Sequence, residues 1–137
     1  MKPLKVLIAC EESQAYTQIF RALGHEAYSC DLQECGGDLP QYHLEECAIH
    51  CAYSYEWDLM IAHPPCTKIS FVGQGWLSHP EDKEKDFTER RPHPKHPNRR
   101  DEFVKALEFV NGLASAPIPY IAIENPLGFL STEIGRA

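Results

Sequence analysis

The apolar positions of this chain fall into short continuous runs, separated by stretches with helical spacing or with many breakers. Lys5-Val-Leu-Ile-Ala-Cys10 is the first run and predicts a buried strand. Glu12 or Ser13 then stands where a helix cap belongs, and Tyr16, Ile19, Phe20 and Leu23 recur at helical spacing over Gln14–Leu23. Gly24 is the expected stop. Glu26-Ala-Tyr-Ser-Cys30 predicts a second strand ending at Asp31. The stretch 33–55 is ambiguous: Gly36-Gly37 marks a turn, and 43–52 suits a short helix while 47–53 also suits a strand. Trp57–Ala62 is the next strand. From 70 to 100, periodicity gives way to Pro, Gly and charge, which predicts a long mobile or functional loop. Asp101 is placed to cap a helix through Ala114 that buries Phe103, Val104, Leu107, Phe109 and Val110, and Tyr120–Ile123 is the last strand.

Strand alternating with helix predicts an α/β fold: a Rossmann-like, doubly wound, mostly parallel sheet with flanking helices, short at its C-terminal end. The expectation is a single domain over 1–137, with four clear strands and a fifth near 47–53. In such sheets, ligands sit at the carboxyl ends of the strands.

Composition narrows this picture. At 137 residues and 43% apolar, the chain can bury a core. Its first apolar stretch is short and runs into Glu11-Glu12, which argues against a leader or a membrane span. The six cysteines are therefore expected as reduced thiols in a cytoplasmic setting. A net charge of −7 has the wrong sign for tight non-specific grip on a polyanion. Against that trend, Arg90, Arg91, Lys95, Arg99 and Arg100 cluster in a Pro-rich segment with His93 and His96. These five cations are the candidate phosphate contacts, and a solvated loop is an equal alternative.

The candidate chemistry lies at the strand ends. The first turn, Cys10-Glu11-Glu12-Ser13, has no glycine, so it does not predict a pyrophosphate site. Its carboxylates suit an ammonium or a hydroxyl-bearing ligand, or else simply a helix cap. Asp31 ends the second strand about twenty residues on, where an acid commonly binds ribose. Pro64-Pro65 stiffens the backbone ahead of Cys66, and His63, Lys68 and the basic segment are candidate cations to favour its thiolate. Glu124 ends the last strand, where a carboxylate needs a partner or a role as an acid. Cys30, Cys35, His43, Cys47, His50 and Cys51 lie close in sequence, but their spacing matches no standard zinc module, and no metal site is assigned.

Pro64-Pro65-Cys66 after one apolar strand and Glu124-Asn125-Pro-Leu-Gly128 after another resemble the DNA cytosine-5 methyltransferase superfamily, whose signature is Pro-Pro-Cys followed downstream by Glu-Asn-Val. The chain is more closely similar to small phage and bacterial cytosine methyltransferase-like proteins, across nearly its whole length. The resemblance implies S-adenosylmethionine as cofactor and DNA or a nucleotide as substrate. It implies that Cys66 adds to carbon 6 of cytosine, that Glu124 binds the ring edge, and that Asn125 supports the loop. It further implies that Cys10, Glu11, Glu12, Ser13, Asp31, Asp58 and Pro64 line the cofactor site, with Glu45 towards the adenine.

The chain departs from that family in its first motif, where Cys-Glu-Glu-Ser-Gln replaces a glycine-rich turn, and in the threonine after Cys66. Within residues 1–137 no target-recognition region of the kind a duplex enzyme needs to flip and read a base is expected. The alternative expectation is a non-catalytic, phage-encoded protein of the same fold that sequesters a nucleotide-like ligand. A second copy of the chain is a candidate for completing so small a pocket, and no membrane partner is expected.

Overall fold

The computed structural model describes residues 2–65 and 77–124. Its centre is a five-stranded, all-parallel sheet in the order β3-β2-β1-β4-β5. The strands are β1 (Lys5–Ala9), β2 (Glu26–Cys30), β3 (His43–Leu44), β4 (Leu59–Ala62) and β5 (Tyr120–Ile123). Among the described residues three helices are formed: α1 (Ala15–Ala22), α2 (Ala48–Ser54) and α3 (Arg99–Ala114). This is a Rossmann-like α/β architecture.

The chain forms two compact units, one of residues 1–64 with 110–124 and the other of 65–109 with 125–137. The first unit contains the sheet. Its centre is β1, where Val6, Leu7, Ile8 and Ala9 are fully buried, joined by Ala27, Met60 and Ala62 from the neighbouring strands. A strand covered on both faces has no polar side to alternate with, which is why β1 appears in the sequence as an unbroken apolar run. The edge strand β5 instead alternates exposed and half-buried residues.

The stop at the end of α1 follows the sequence expectation. Gly24 takes φ 93° and donates its amide to the Arg21 carbonyl, while the His25 amide reaches Phe20. This Schellman arrangement requires the left-handed residue that glycine supplies at no cost.

Three expectations need correction. The segment 47–53 is helical, within α2, and the fifth strand is the short β3, which pairs with Ser29 and Cys30 of β2. The third helix begins at Arg99 rather than after a cap at Asp101, and its Val104 is exposed. Most consequentially, the apolar stripe of α1 faces the core only in part: Phe20 packs against the buried cluster of β1 and β2, but Ile19 is 58% and Leu23 68% exposed, and the buried position is Thr17. Hydrogen bonding, described below, sets the rotation of this helix.

Within the second unit, the described part of the 70–100 segment carries local order. Single 3-10 turns span Pro80–Asp82 and Phe87–Glu89, and Asp82 is 1% exposed.

Candidate active site at the sheet's switch point

From β1 the chain winds outward through β2 and β3, then returns to the other side of β1 as β4. In open parallel sheets ligands bind beyond the carboxyl ends of the strands at such a reversal, here the ends of β1 and β4. Cys10 and His63 follow these two strands, and the His63 amide bonds the Ala9 carbonyl at 2.9 Å.

The β1–α1 turn is strained and closely packed. Cys10 and Gln14 both take φ 62°, each costing on the order of 1 kcal/mol for a non-glycine residue. Buried hydrogen bonds offset that cost. Glu11 turns inward and caps α1: its carboxylate accepts the amides of Tyr16 (2.6 Å) and Thr17 (3.3 Å) and the Thr17 hydroxyl (2.8 Å). Gln14, fully buried, donates Nε2 to Ser29 Oγ (3.1 Å) and to the Leu39 carbonyl (2.7 Å), and accepts the Leu39 amide (2.8 Å). Ser29 Oγ also lies 2.8 Å from His43 Nδ1, and His43 Nε2 is 3.0 Å from the Gln33 carbonyl. A carbonyl can only accept, so in the neutral ring Nε2 carries the proton and Ser29 donates to Nδ1. Both ring nitrogens of His43 are therefore engaged.

Glu12 and Ser13 are exposed on this turn. The Glu12 carbonyl accepts the Gly36 amide at 2.8 Å, so the loop after β2 lies against the turn. Asp31 bonds the Gln33 amide through Oδ1 (2.9 Å), and no described residue donates to Oδ2. Burial, followed by the charge of Asp31 and the neighbouring Cys47, pushes the Cys10 thiol up to about 12. It stays protonated, which makes it a poor nucleophile.

At the β4 and β5 ends, Pro64 is buried and Glu124 is exposed. The Glu124 amide bonds the Ala62 carbonyl at 2.9 Å, which fixes where its side chain leaves the sheet. Glu124 Oε2 lies 2.9 Å from His63 Nδ1 and accepts the Tyr16 hydroxyl at 3.1 Å. His63 appeared in the sequence only as a candidate cation, and Tyr16 as one of four apolar positions at helical spacing. A histidine directly between a strand and Pro-Pro was the available signal for the first. Nothing local could place Tyr16 beside a residue 108 positions away.

The structure does not bring Asp58 to this end. Asp58 precedes β4, and it accepts the Lys5 amide at 2.8 Å at the amino end of the sheet. In a parallel sheet that is the edge opposite Cys10, Asp31 and Pro64. Cys66 and Asn125 lie outside the described residues.

The basic segment is spent largely on its own unit. Arg91 forms paired bonds with Asp82 (3.0 and 2.9 Å) and approaches Glu81. Arg90 donates to the Lys83 and Lys85 carbonyls, and Arg100 to those of Leu77, Arg90 and Arg91. Arg99 pairs with Glu102 at 3.8 Å. Lys95 is exposed. The sequence showed five cations within 90–100, but it could not show that Arg90, Arg91 and Arg100 bond backbone carbonyls and a buried acid.

Among the described residues, no group of three or more metal-capable side chains is placed to hold a metal ion, and no helix is long and apolar enough to cross a membrane. In comparisons with known proteins, no family model and no curated sequence matches the chain.

Proposed function

We propose that this protein is an S-adenosylmethionine-dependent, cytosine-5 methyltransferase-like protein acting on a nucleotide-sized substrate. The observation that carries the reading is Glu124: an exposed carboxylate, held by two donors, at the switch-point end of a parallel sheet. In this reading the Cys66 thiolate adds to carbon 6 of cytosine, and Glu124 binds the polar edge of the ring. Cys66 and Asn125 enter on the sequence resemblance alone.

The residues at the β1 and β2 ends fit such a cofactor in part. Asp31 keeps one oxygen for a ribose hydroxyl. Glu11 already occupies amides of the first turn of α1, which argues against an anion such as pyrophosphate there and suits a cofactor with a cationic centre. When bound, S-adenosylmethionine would supply the electrophilic methyl group for carbon 5. The internal use of Arg90, Arg91 and Arg100 supports a small substrate over duplex DNA.

Calorimetric titration with S-adenosylmethionine and S-adenosylhomocysteine tests the reading. Micromolar binding that is lost in Asp31→Ala, with methyl transfer to cytidine lost in Cys66→Ala, is the expected result. Absence of binding to either compound would sink the cofactor assignment.

A second reading is a non-catalytic protein of the same fold that sequesters a nucleotide-like ligand. It is favoured by the packing of Gly36, Gly37 and Leu39 against the β1–α1 turn, where a cofactor needs room. It predicts ligand binding without product, unchanged in Cys66→Ser.

A further inference from the structure

Glu124 is held from two sides by residues of other elements. Tyr16 comes from α1 and His63 from the end of β4, and both meet the same oxygen, Oε2. The two rings also contact one another edge to face, with centroids 4.6 Å apart. A carboxylate oxygen has two lone pairs and can accept both bonds. Because it can only accept, the proton of His63 must sit on Nδ1. The hydrogen bond to Glu124, and then the negative charge of that carboxylate, push the Tyr16 phenol above its ordinary value, so it remains a donor.

The other atoms of the cluster are engaged unequally. His63 Nε2 is buried and has no partner among the described residues, so the bond of the ring to Glu124 is its only side-chain hydrogen bond there. A buried ring nitrogen without a partner is unfavourable, and a ring that merely filled space would not need to carry one. On the carboxylate, no described residue donates to Oε1, and the side chain is 60% exposed. One oxygen is clamped and the other is presented.

We propose that Tyr16 and His63 are positioning residues that fix Glu124 with Oε1 outward as a hydrogen-bond acceptor, so that the site selects a nucleobase edge bearing an amino group. The ligand class rests on the nucleobase reading above; the clamp itself rests on the geometry of the three side chains. A base with a carbonyl at the corresponding position would set acceptor against acceptor, and a site built to accept a hydrogen bond rejects a partner that cannot donate one.

The test uses the full chain and two probes, cytidine and uridine, which differ at that ring position. Nitrogen-15 spectra of the imidazole should show the His63 proton on Nδ1. Cytidine should bind at least about tenfold more tightly than uridine, equivalent to about 1.4 kcal/mol. Tyr16→Phe and His63→Leu should each erode that preference while keeping the wild-type urea midpoint to within a small shift. His63→Gln, whose amide can still donate to Oε2, should restore part of it; a purely structural role would show no such rescue. A proton on Nε2, or an undiminished preference in Tyr16→Phe and His63→Leu, would overturn the clamp. Failure of both nucleosides to bind, with the proton on Nδ1, would overturn the nucleobase ligand while the hydrogen bonds stood.

Discussion

The Glu11 carboxylate and the Thr17 hydroxyl, 2.8 Å apart, tie the end of β1 to the buried face of α1. Three donors from the first turns of the helix converge on this one carboxylate, which is 5% exposed. The bonds fix the rotation of α1, turning Thr17 inward and leaving Ile19 and Leu23 outside. Glu11→Ala should therefore cost roughly 1.5–3 kcal/mol, the scale of hydrogen bonds to a charged group. Urea denaturation of the two proteins would read it, and an unchanged midpoint would remove Glu11 from the account of this turn.

Gly37 is required by a close approach. A Cβ there would stand 2.6 Å from both Gln14 Oε1 and the Ser13 carbonyl. Gln14 cannot swing aside without losing its buried bonds, and a backbone carbonyl cannot yield. Gly37→Ala should destabilise by roughly 1–3 kcal/mol, as overpacking does. A thermal melt equal to that of the wild type would show that the loop can shift at no cost.

The Cys10 thiol, pushed up to about 12, should react slowly with electrophiles. At neutral pH its alkylation by iodoacetamide should be at least about tenfold slower than that of the exposed Cys47, since only the thiolate attacks. Mass spectrometry of a labelling time course checks this; equal rates at the two positions would contradict the burial of Cys10.

Asp82 gives the second unit an acid dependence. Hydrogen bonds from the Arg91 side chain first, then its amide, hold the carboxyl well below the usual carboxylate range, with Lys85 adding to the effect. With the folded value depressed, the unfolded chain takes up a proton first as pH falls below about 4. The contribution to stability is thus complete above that point and is lost as pH falls through the folded value. Fluorescence-monitored urea midpoints between about pH 5 and about pH 3 should fall less steeply in Asp82→Asn than in the wild type. Parallel slopes would assign the acid sensitivity elsewhere.

Much of the fold was legible. β1 stands out as an apolar run because both its faces are buried, β2, β4 and β5 were read from short strand-like segments bounded by breakers, and Gly24 marked its helix end through a backbone geometry that other residues adopt at a cost. β3 was missed because two residues paired at an edge leave no pattern. At the candidate site, Glu124 and Asp31 were visible as acids at strand ends, and both occur at the carboxyl side of the sheet. Asp58 was placed with the cofactor by the resemblance alone; it precedes β4, and in a parallel sheet that puts it at the amino edge.

The sequence alone determined the class of architecture and which strand ends carry carboxylates, since periodicity and chain breakers act over a few residues. The tertiary structure decided what each polar group does. Glu11 became a helix cap, Arg90, Arg91 and Arg100 became internal braces, and Tyr16 and His63 became the clamp on Glu124. Those roles depend on partners brought together by strand pairing and helix rotation, and a hydrogen bond is satisfied by whichever donor or acceptor lies within about 3 Å, however far away it is along the chain.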